Sequence, residues 1–113
     1  MSEMTKRSPT EFEQLVYDAI SKVPSGKVTT YKELARHIGC RSNQAVGQAL
    51  RRNPFAPEVP CHRVVRTDLT LGGYAGATGG EKLRKKQRLL SEEAVQFRAD
   101  GSVRPEHFFQ FPR

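Results

Sequence analysis

The chain is short of cysteine, of acidic residues and of long apolar runs, and each shortage removes a class of protein. Cys40 and Cys61 are its two cysteines, so a multiply bridged secreted scaffold is excluded and free thiols in a reducing compartment are expected. They form no CxxC pair, and His37, His62 and His107 are scattered. No zinc spacing is present, and neither a metal nor a cofactor is expected. No apolar stretch approaches the ~20 residues of a membrane span, and none follows Met1 to Arg7 as a secretion signal requires. The expectation is an intracellular protein, cytoplasmic or, in a eukaryote, nuclear, with no membrane partner.

The acidic shortage has the opposite effect and points to a partner. Against 12 Asp and Glu stand 19 Lys and Arg, a formal charge of +7 on 113 residues. A solvated surface accounts for part of that excess, but on so short a chain it favours a polyanion, of which nucleic acid is the commonest. The length suits one domain with a single core.

Turn and cap residues divide the chain clearly. Thr10 to Glu13 reads T-x-x-E, a capping box, and Phe12, Leu15, Val16, Ala19 and Ile20 follow at helical spacing, which predicts a helix to about Lys22. "PSGK" is a turn. Thr30 to Glu33 is a second T-x-x-E, opening a helix that carries Leu34, Ala35 and Ile38 and ends at Gly39. Ser42 then caps a third, with Ala45, Val46, Ala49 and Leu50 on one face up to Asn53-Pro54. Two short helices around a tight glycine-containing turn form a helix-turn-helix pattern with "RSNQAVGQALRR" as the recognition helix, although a plain helical hairpin fits the same spacing. Arg41 before that helix and Arg51 and Arg52 at its end suit phosphates, and the small Gly47 allows close backbone approach.

After "VPCHRVV" comes the glycine-rich stretch "RTDLTLGGYAGATGG", a loop whose backbone can approach a ligand. It lacks the G-K-[ST] of a phosphate-binding P-loop. A basic helix is predicted from Glu81, with Leu83, Leu90 and Ala94 inward and Lys82, Arg84, Lys85, Lys86 and Arg88 largely outward. "VQF", "ADGS" and Val103 suggest a hairpin turning at Asp100-Gly101, ahead of a tail whose Phe108, Phe109 and Phe111 suit packing. The expected fold is mainly α: a small single domain with a winged-helix-like helix-turn-helix and minor β-hairpin content. Residues 1–9 are expected to be a flexible N-terminus, 10–97 the domain and 98–113 an extension packed on it.

Cys61 and His62 carry the candidate chemistry. A free thiol has a pKa of about 8.5, so a nucleophilic cysteine needs a neighbour to take its proton. His62 suits that role, directly or through a water. On extended chain, however, adjacent side chains point to opposite faces, so a direct bond requires the backbone to turn at Pro60. The dipeptide alone is equally compatible with a buried apolar cysteine beside a satisfied histidine.

The array "GKVTTYKELARHIG…AVGQALRRNP…VPCHRVV…GGYAG…RLLSEE" resembles the C-terminal domain of the O6-alkylguanine-DNA alkyltransferases, or methylated-DNA-protein-cysteine methyltransferases. The match runs from about Phe12 to Glu93, coupling Pro60-Cys61-His62-Arg63-Val64 to the helix-turn-helix. The resemblance implies a monomer that flips an O6-alkylguanine from double-stranded DNA and takes its alkyl group irreversibly onto Cys61. It further implies His62 as the base acting through a water, Glu93 as the carboxylate orienting it, with Glu92 the alternative, and Asn53 as a bridge from recognition helix to active-site loop. Tyr31 would press on the target phosphate and supply a proton to the departing guanine. Arg41, Gln44, Gly47, Arg51 and Arg52 would face DNA, while Cys61, Val64, Tyr74 and Ala75 would form the base pocket.

Two departures accompany the resemblance. The family usually has an arginine just before "AVG" that enters the duplex, and this chain has Gln44 there. The match covers the C-terminal domain only, so neither the family's N-terminal domain nor the zinc site some members carry is expected. The tail after Phe97 is similar to that of the compact alkyltransferase-like proteins, which bind such lesions without repairing them; those typically hold tryptophan where this chain has Cys61.

Overall fold

The computed structural model describes residues 9–55, 58–72 and 80–112. The Thr10 hydroxyl accepts from the Glu13 N–H at 3.0 Å, and the Glu13 carboxylate accepts from the Thr10 N–H at 3.1 Å. That complete capping box starts α1 (Glu11–Ile20). The apolar repeat buries Val16, Ala19 and Ile20, whereas Leu15, on the same repeat, is 53% exposed. Thr30 caps α2 (Tyr31–Ile38) by accepting from the Glu33 N–H. Gly39 ends it at φ 76°, a left-handed conformation that favours glycine, with its N–H directed to the Ala35 and Arg36 carbonyls. The Ser42 hydroxyl accepts from the Ala45 N–H at 3.0 Å and caps α3 (Asn43–Arg51).

These three helices pack on one another and form the helix-turn-helix expected from the sequence. Leu34, Val46, Ala49 and Leu50 meet Val16 and Ile20 in the main core. Tyr17 is buried there with its hydroxyl satisfied, donating to the Ala49 carbonyl at 2.8 Å and tying α1 to α3.

The sheet differs from expectation. Besides the hairpin, the chain makes a parallel pair between β1 (Thr29–Thr30) and β2 (Val64–Val65), in the register Thr29 to Val64 and Thr30 to Val65. Neither segment has enough strand pattern to announce itself, because two-residue strands are specified by their surroundings. Alternation along β2 sends Val64 into the main core and Val65 into a second one with Val28, Leu90, Val95 and Val103. The strand that follows Cys61 and His62 is thus held from both sides.

The hairpin expected at Asp100-Gly101 is present: Phe97 bridges Val103 antiparallel, Arg104 N–H donates to the Gln96 carbonyl, and Gly101 has φ 89°. The tail then returns to α2. Phe111 is buried, its N–H donates to Glu33 at 2.8 Å, its carbonyl accepts from Arg36 at 3.1 Å, and its ring stacks on His37 with centroids 4.1 Å apart.

α4 (Gly80–Glu92) corrects two details of the sequence reading. Lys86, expected outward, has no exposed surface. It stands between Leu83 and Leu90 at helical spacing, so it occupies the inward stripe and its charge is met by carbonyls inside. Ala94, expected inward, is exposed, because the helix ends at Glu92 and the chain turns there with Ala94 at φ 68°. Among the described residues no helix is long and apolar enough to cross a membrane.

Candidate active site

Pro60 (φ −82°, ψ 66°) breaks the extended run, and Cys61–Arg63 form a 3-10 helical turn closed by the Val64 N–H to the Cys61 carbonyl. The dipeptide is therefore not on extended chain. Cys61 is 9% exposed and His62 2%. Upstream, Asn53 organises the approach: its amide donates to the Val59 carbonyl at 3.0 Å and its oxygen accepts from the Phe55 N–H at 2.9 Å. The Val59 carbonyl also accepts from the Cys61 N–H at 2.8 Å. Asn53, at the end of the recognition helix, therefore connects that helix to the turn bearing the thiol.

Glu93 is the hub on the other side. Its Oε2 lies 2.9 Å from His62 Nε2, and Arg63 donates to both carboxylate oxygens, at 2.9 and 2.7 Å. Arg63 Nη1 also donates to the Val23 carbonyl at 2.7 Å, anchoring the fork to the end of the α1 region. Glu92 is exposed. Burial pushes the Glu93 carboxyl up, but hydrogen bonds from Arg63 and His62 outweigh it and hold it below the ordinary range.

The ionised carboxylate determines the histidine tautomer. Burial lowers the His62 pKa despite Glu93, so the ring is neutral near pH 7. A neutral ring facing a carboxylate through Nε2 places its proton there, which leaves Nδ1 as a lone-pair acceptor. Nδ1 is buried with no hydrogen-bond partner among the described residues. A base atom with an uncommitted lone pair is thus enclosed on the residue that follows Cys61. Burial pushes the thiol up, and hydrogen bonding from Asn53 and the charge of Lys86 pull it back only in part. The resting cysteine is a protonated thiol. Tyr31, at the start of α2, is also raised, first by burial and then by Cys61, so its phenol stays protonated.

The remaining candidates fall on the recognition helix and around the loop. Arg41, Gln44 and Arg51 are exposed along α3 and the turn before it. Arg52 is exposed too, with an ion pair to Glu13 at 3.6 Å. A Cβ at Gly47 would meet nothing within 4 Å, so packing inside the chain does not demand glycine there. Val64 is buried and its carbonyl accepts from Lys86 Nζ at 2.7 Å. Tyr74 and Ala75 lie outside the described residues. The sequence reading assigned no role to Arg63 or Lys86. For Lys86 a signal existed in its place on the Leu83 to Leu90 stripe; for Arg63 there was none, since its partner is 30 residues away.

Residues 11–95 match the family model described as 6-O-methylguanine DNA methyltransferase, DNA binding domain. The methylated-DNA--protein-cysteine methyltransferase of Methanothermobacter thermautotrophicus is 46% identical over 86 residues, which are 76% of this chain and 46% of that protein. The constitutive enzyme of that name from Bacillus subtilis is 37% identical over 90 residues, covering 79% and 52%. The chain thus spans about half the length of the curated relatives it matches. Among solved structures, Mycobacterium tuberculosis OGT in complex with DNA superposes with a TM-score of 0.69 at 38% identity, covering 76% of this chain and 51% of that one. S. pombe Atl1 in complex with damaged DNA containing O6-carboxymethylguanine gives a TM-score of 0.73 at 31% identity, covering 93% of this chain and all of Atl1. With the helix-turn-helix, the buried Cys61 turn and the matched residues in agreement, this chain belongs to the 6-O-methylguanine DNA methyltransferase family through its DNA-binding domain.

Proposed function

We propose that this protein repairs double-stranded DNA by taking the alkyl group of O6-alkylguanine onto Cys61 in a single, irreversible turnover. The observation that carries the reading is the enclosed Cys61 and His62 turn, with Glu93 fixing the tautomer that leaves His62 Nδ1 free to accept a proton. In the proposed step Nδ1 takes the Cys61 proton, directly or through a water. The thiolate attacks the alkyl carbon, an S–C bond forms, and the bond from that carbon to O6 breaks with its electron pair moving onto guanine. Tyr31, held protonated, supplies the proton that neutralises the departing base. The product is a thioether that no group in the site can reverse.

Substrate access requires the base to leave the stack, because its O6 alkyl group cannot reach a buried thiol from within the duplex. Arg41, Arg51 and Arg52 are read as phosphate contacts, Gln44 as the side chain nearest the vacated stack, and Gly47 as the point of close approach. Cys61, Val64, Tyr74 and Ala75 are read as the pocket for the flipped base. The test is the intact mass after incubation with a duplex carrying O6-methylguanine. A gain of one methyl group mapped to Cys61, absent from Cys61→Ala while that variant still binds the lesion, is expected. An unchanged mass would overturn the reading.

A second reading, lesion binding without transfer, draws support from the match to the full length of S. pombe Atl1, whose structure was solved with damaged DNA containing O6-carboxymethylguanine. It predicts tight lesion binding with no mass change at any time of incubation.

A further inference from the structure

Arg66 has no part in the transfer described so far. It follows β2 directly, where its N–H donates to the Thr70 carbonyl at 2.9 Å and its carbonyl accepts from the Leu69 N–H at 2.7 Å. That tight turn folds residues 70–72 back alongside it, and Gly72 passes there at φ 71°. A Cβ built on Gly72 would lie 3.3 Å from Arg66 Cγ, 3.5 Å from Arg66 Nε and 3.7 Å from Tyr31 Cε2. The arginine stem and the Tyr31 ring thus border the same small space, which sets a cation beside the phenol proposed to protonate the departing guanine. Arg66 is exposed, and among the described residues no ion pair engages its guanidinium. Packing on Gly72 needs only its methylene stem, so the fold does not require the charge.

The groups acting on the Tyr31 phenol are Cys61, from the acceptor turn, and Arg66, from the segment after β2. A negative Cys61 raises the phenol beyond what burial does, and Arg66 lowers it. Lys86 of α4 is coupled to both Cys61 and Arg66, and Asp68 faces Arg66 from the turn. The two effects on Tyr31 belong to different stages of transfer. While Cys61 is a thiolate it holds the phenol's proton in place; once the S–C bond has formed the sulfur is neutral, and the pull of Arg66 remains.

We propose that Arg66 is a positioning residue for proton delivery: its guanidinium, seated against Gly72 beside the Tyr31 ring, stabilises the phenolate that forms when Tyr31 gives its proton to the departing guanine. The Tyr31 O–H bond breaks with its electron pair on the phenol oxygen, the proton neutralises the guanine anion, and a proton from solvent restores the phenol afterwards. This deepens the alkyl-acceptor reading and rests on it for its place in the reaction, while the effect of Arg66 on Tyr31 is a property of the free protein.

The test reads the phenol without DNA. The full chain is labelled with 3-fluorotyrosine, whose ring fluorine makes the phenol more acidic and brings its titration to milder pH, and fluorine NMR follows Tyr31, assigned from Tyr31→Phe. Arg66→Lys, Arg66→Gln and Arg66→Glu form a charge series at an exposed position. The Tyr31 pKa is expected to stay near the wild-type value with Lys, to rise by about half a unit with Gln, equivalent to about threefold, and to rise further with Glu. A merely structural role would not sort the variants by charge. A second measurement follows methyl transfer from free O6-methylguanine base, which carries no phosphate. Arg66→Gln is expected to slow it by about two- to threefold when Tyr31 is present and not at all in a Tyr31→Phe background. A Tyr31 phenol indifferent to Arg66, shifts that do not follow charge, or a slowing confined to DNA substrates, as a phosphate contact produces, would each overturn the proposal. Absence of methyl transfer from every substrate, with the charge-ordered shift of Tyr31 intact, would instead count against the alkyl-acceptor reading alone.

Discussion

His62 Nε2 lies 2.9 Å from Glu93 Oε2, across 31 residues of sequence, and this one contact decides which nitrogen of the ring carries the proton. Arg63 doubles the hold on the same carboxylate. Orientation and tautomer are thereby settled before any DNA arrives.

The first prediction follows from that contact. Removing the base with His62→Ala should slow single-turnover transfer by roughly 10²–10⁴-fold. The neutral ring is the active form and burial holds its pKa below the ordinary 6.5, so the wild-type rate should fall to half its plateau only below pH 6.5. Glu93→Gln, which no longer fixes the proton on Nε2, should also be slow. Rapid-quench measurements over pH 5 to 8 check both, and a wild-type rate already halved at pH 7 would contradict the tautomer assignment.

Salt dependence tests the recognition surface. Each phosphate neutralised by Arg41, Arg51 or Arg52 should contribute a slope of about −0.9 in log affinity against log salt. Arg52 already pairs with Glu13, so Arg52→Ala should lower the slope less than Arg51→Ala. Fluorescence anisotropy with a labelled duplex at several salt concentrations measures this, and equal slopes in wild type and all three variants would remove these residues from the interface.

Gln44 is exposed in the first turn of α3, where an arginine would offer both charge and a planar stacking surface. Flipping costs a few kcal/mol of stacking and pairing, and a guanidinium filling the gap should offset more of it than an amide does. Gln44→Arg is therefore expected to tighten duplex binding and to accelerate repair in duplex more than in single strands. Equal changes on the two substrates would assign the gap to another side chain.

Phe111 ties the tail to α2 through two hydrogen bonds and a stacked ring. Phe111→Ala should cost about 3–5 kcal/mol of stability, the range for truncating a buried aromatic, and urea denaturation measures it. A loss below about 1 kcal/mol, within the reach of an ordinary surface change, would mean that the tail only rests on the domain.

Lys86 predicts an unusual stability profile. Its pKa is about 7 when folded against an ordinary 10.5, so between those values the unfolded chain binds the proton and the folded chain does not. Stability therefore rises with pH across that window. Lys86→Met should flatten the rise in the same urea series, and a wild-type profile as flat as the variant's would refute the buried, depressed ammonium.

What the sequence determined by itself was everything governed by near neighbours. Thr10, Thr30 and Ser42 cap their helices because a hydroxyl reaches an N–H three residues on. The left-handed end at Gly39, the apolar faces of α1 to α3 and the turn at Gly101 are local in the same sense. Cys61 and its partners were legible only through resemblance, since the dipeptide alone fits a buried structural thiol equally well. The tertiary structure alone decided whatever joins distant segments. β1 and β2 pair because two cores clamp Val64 and Val65, not because either two-residue strand favours itself. Lys86 is buried because α4 turns that stripe toward the acceptor turn, and an ammonium looks like a solvent-facing residue until the carbonyls waiting for it are known. Local patterns report what a residue prefers; burial and electrostatic partners depend on which parts of the chain fold beside it, and no short window contains that information.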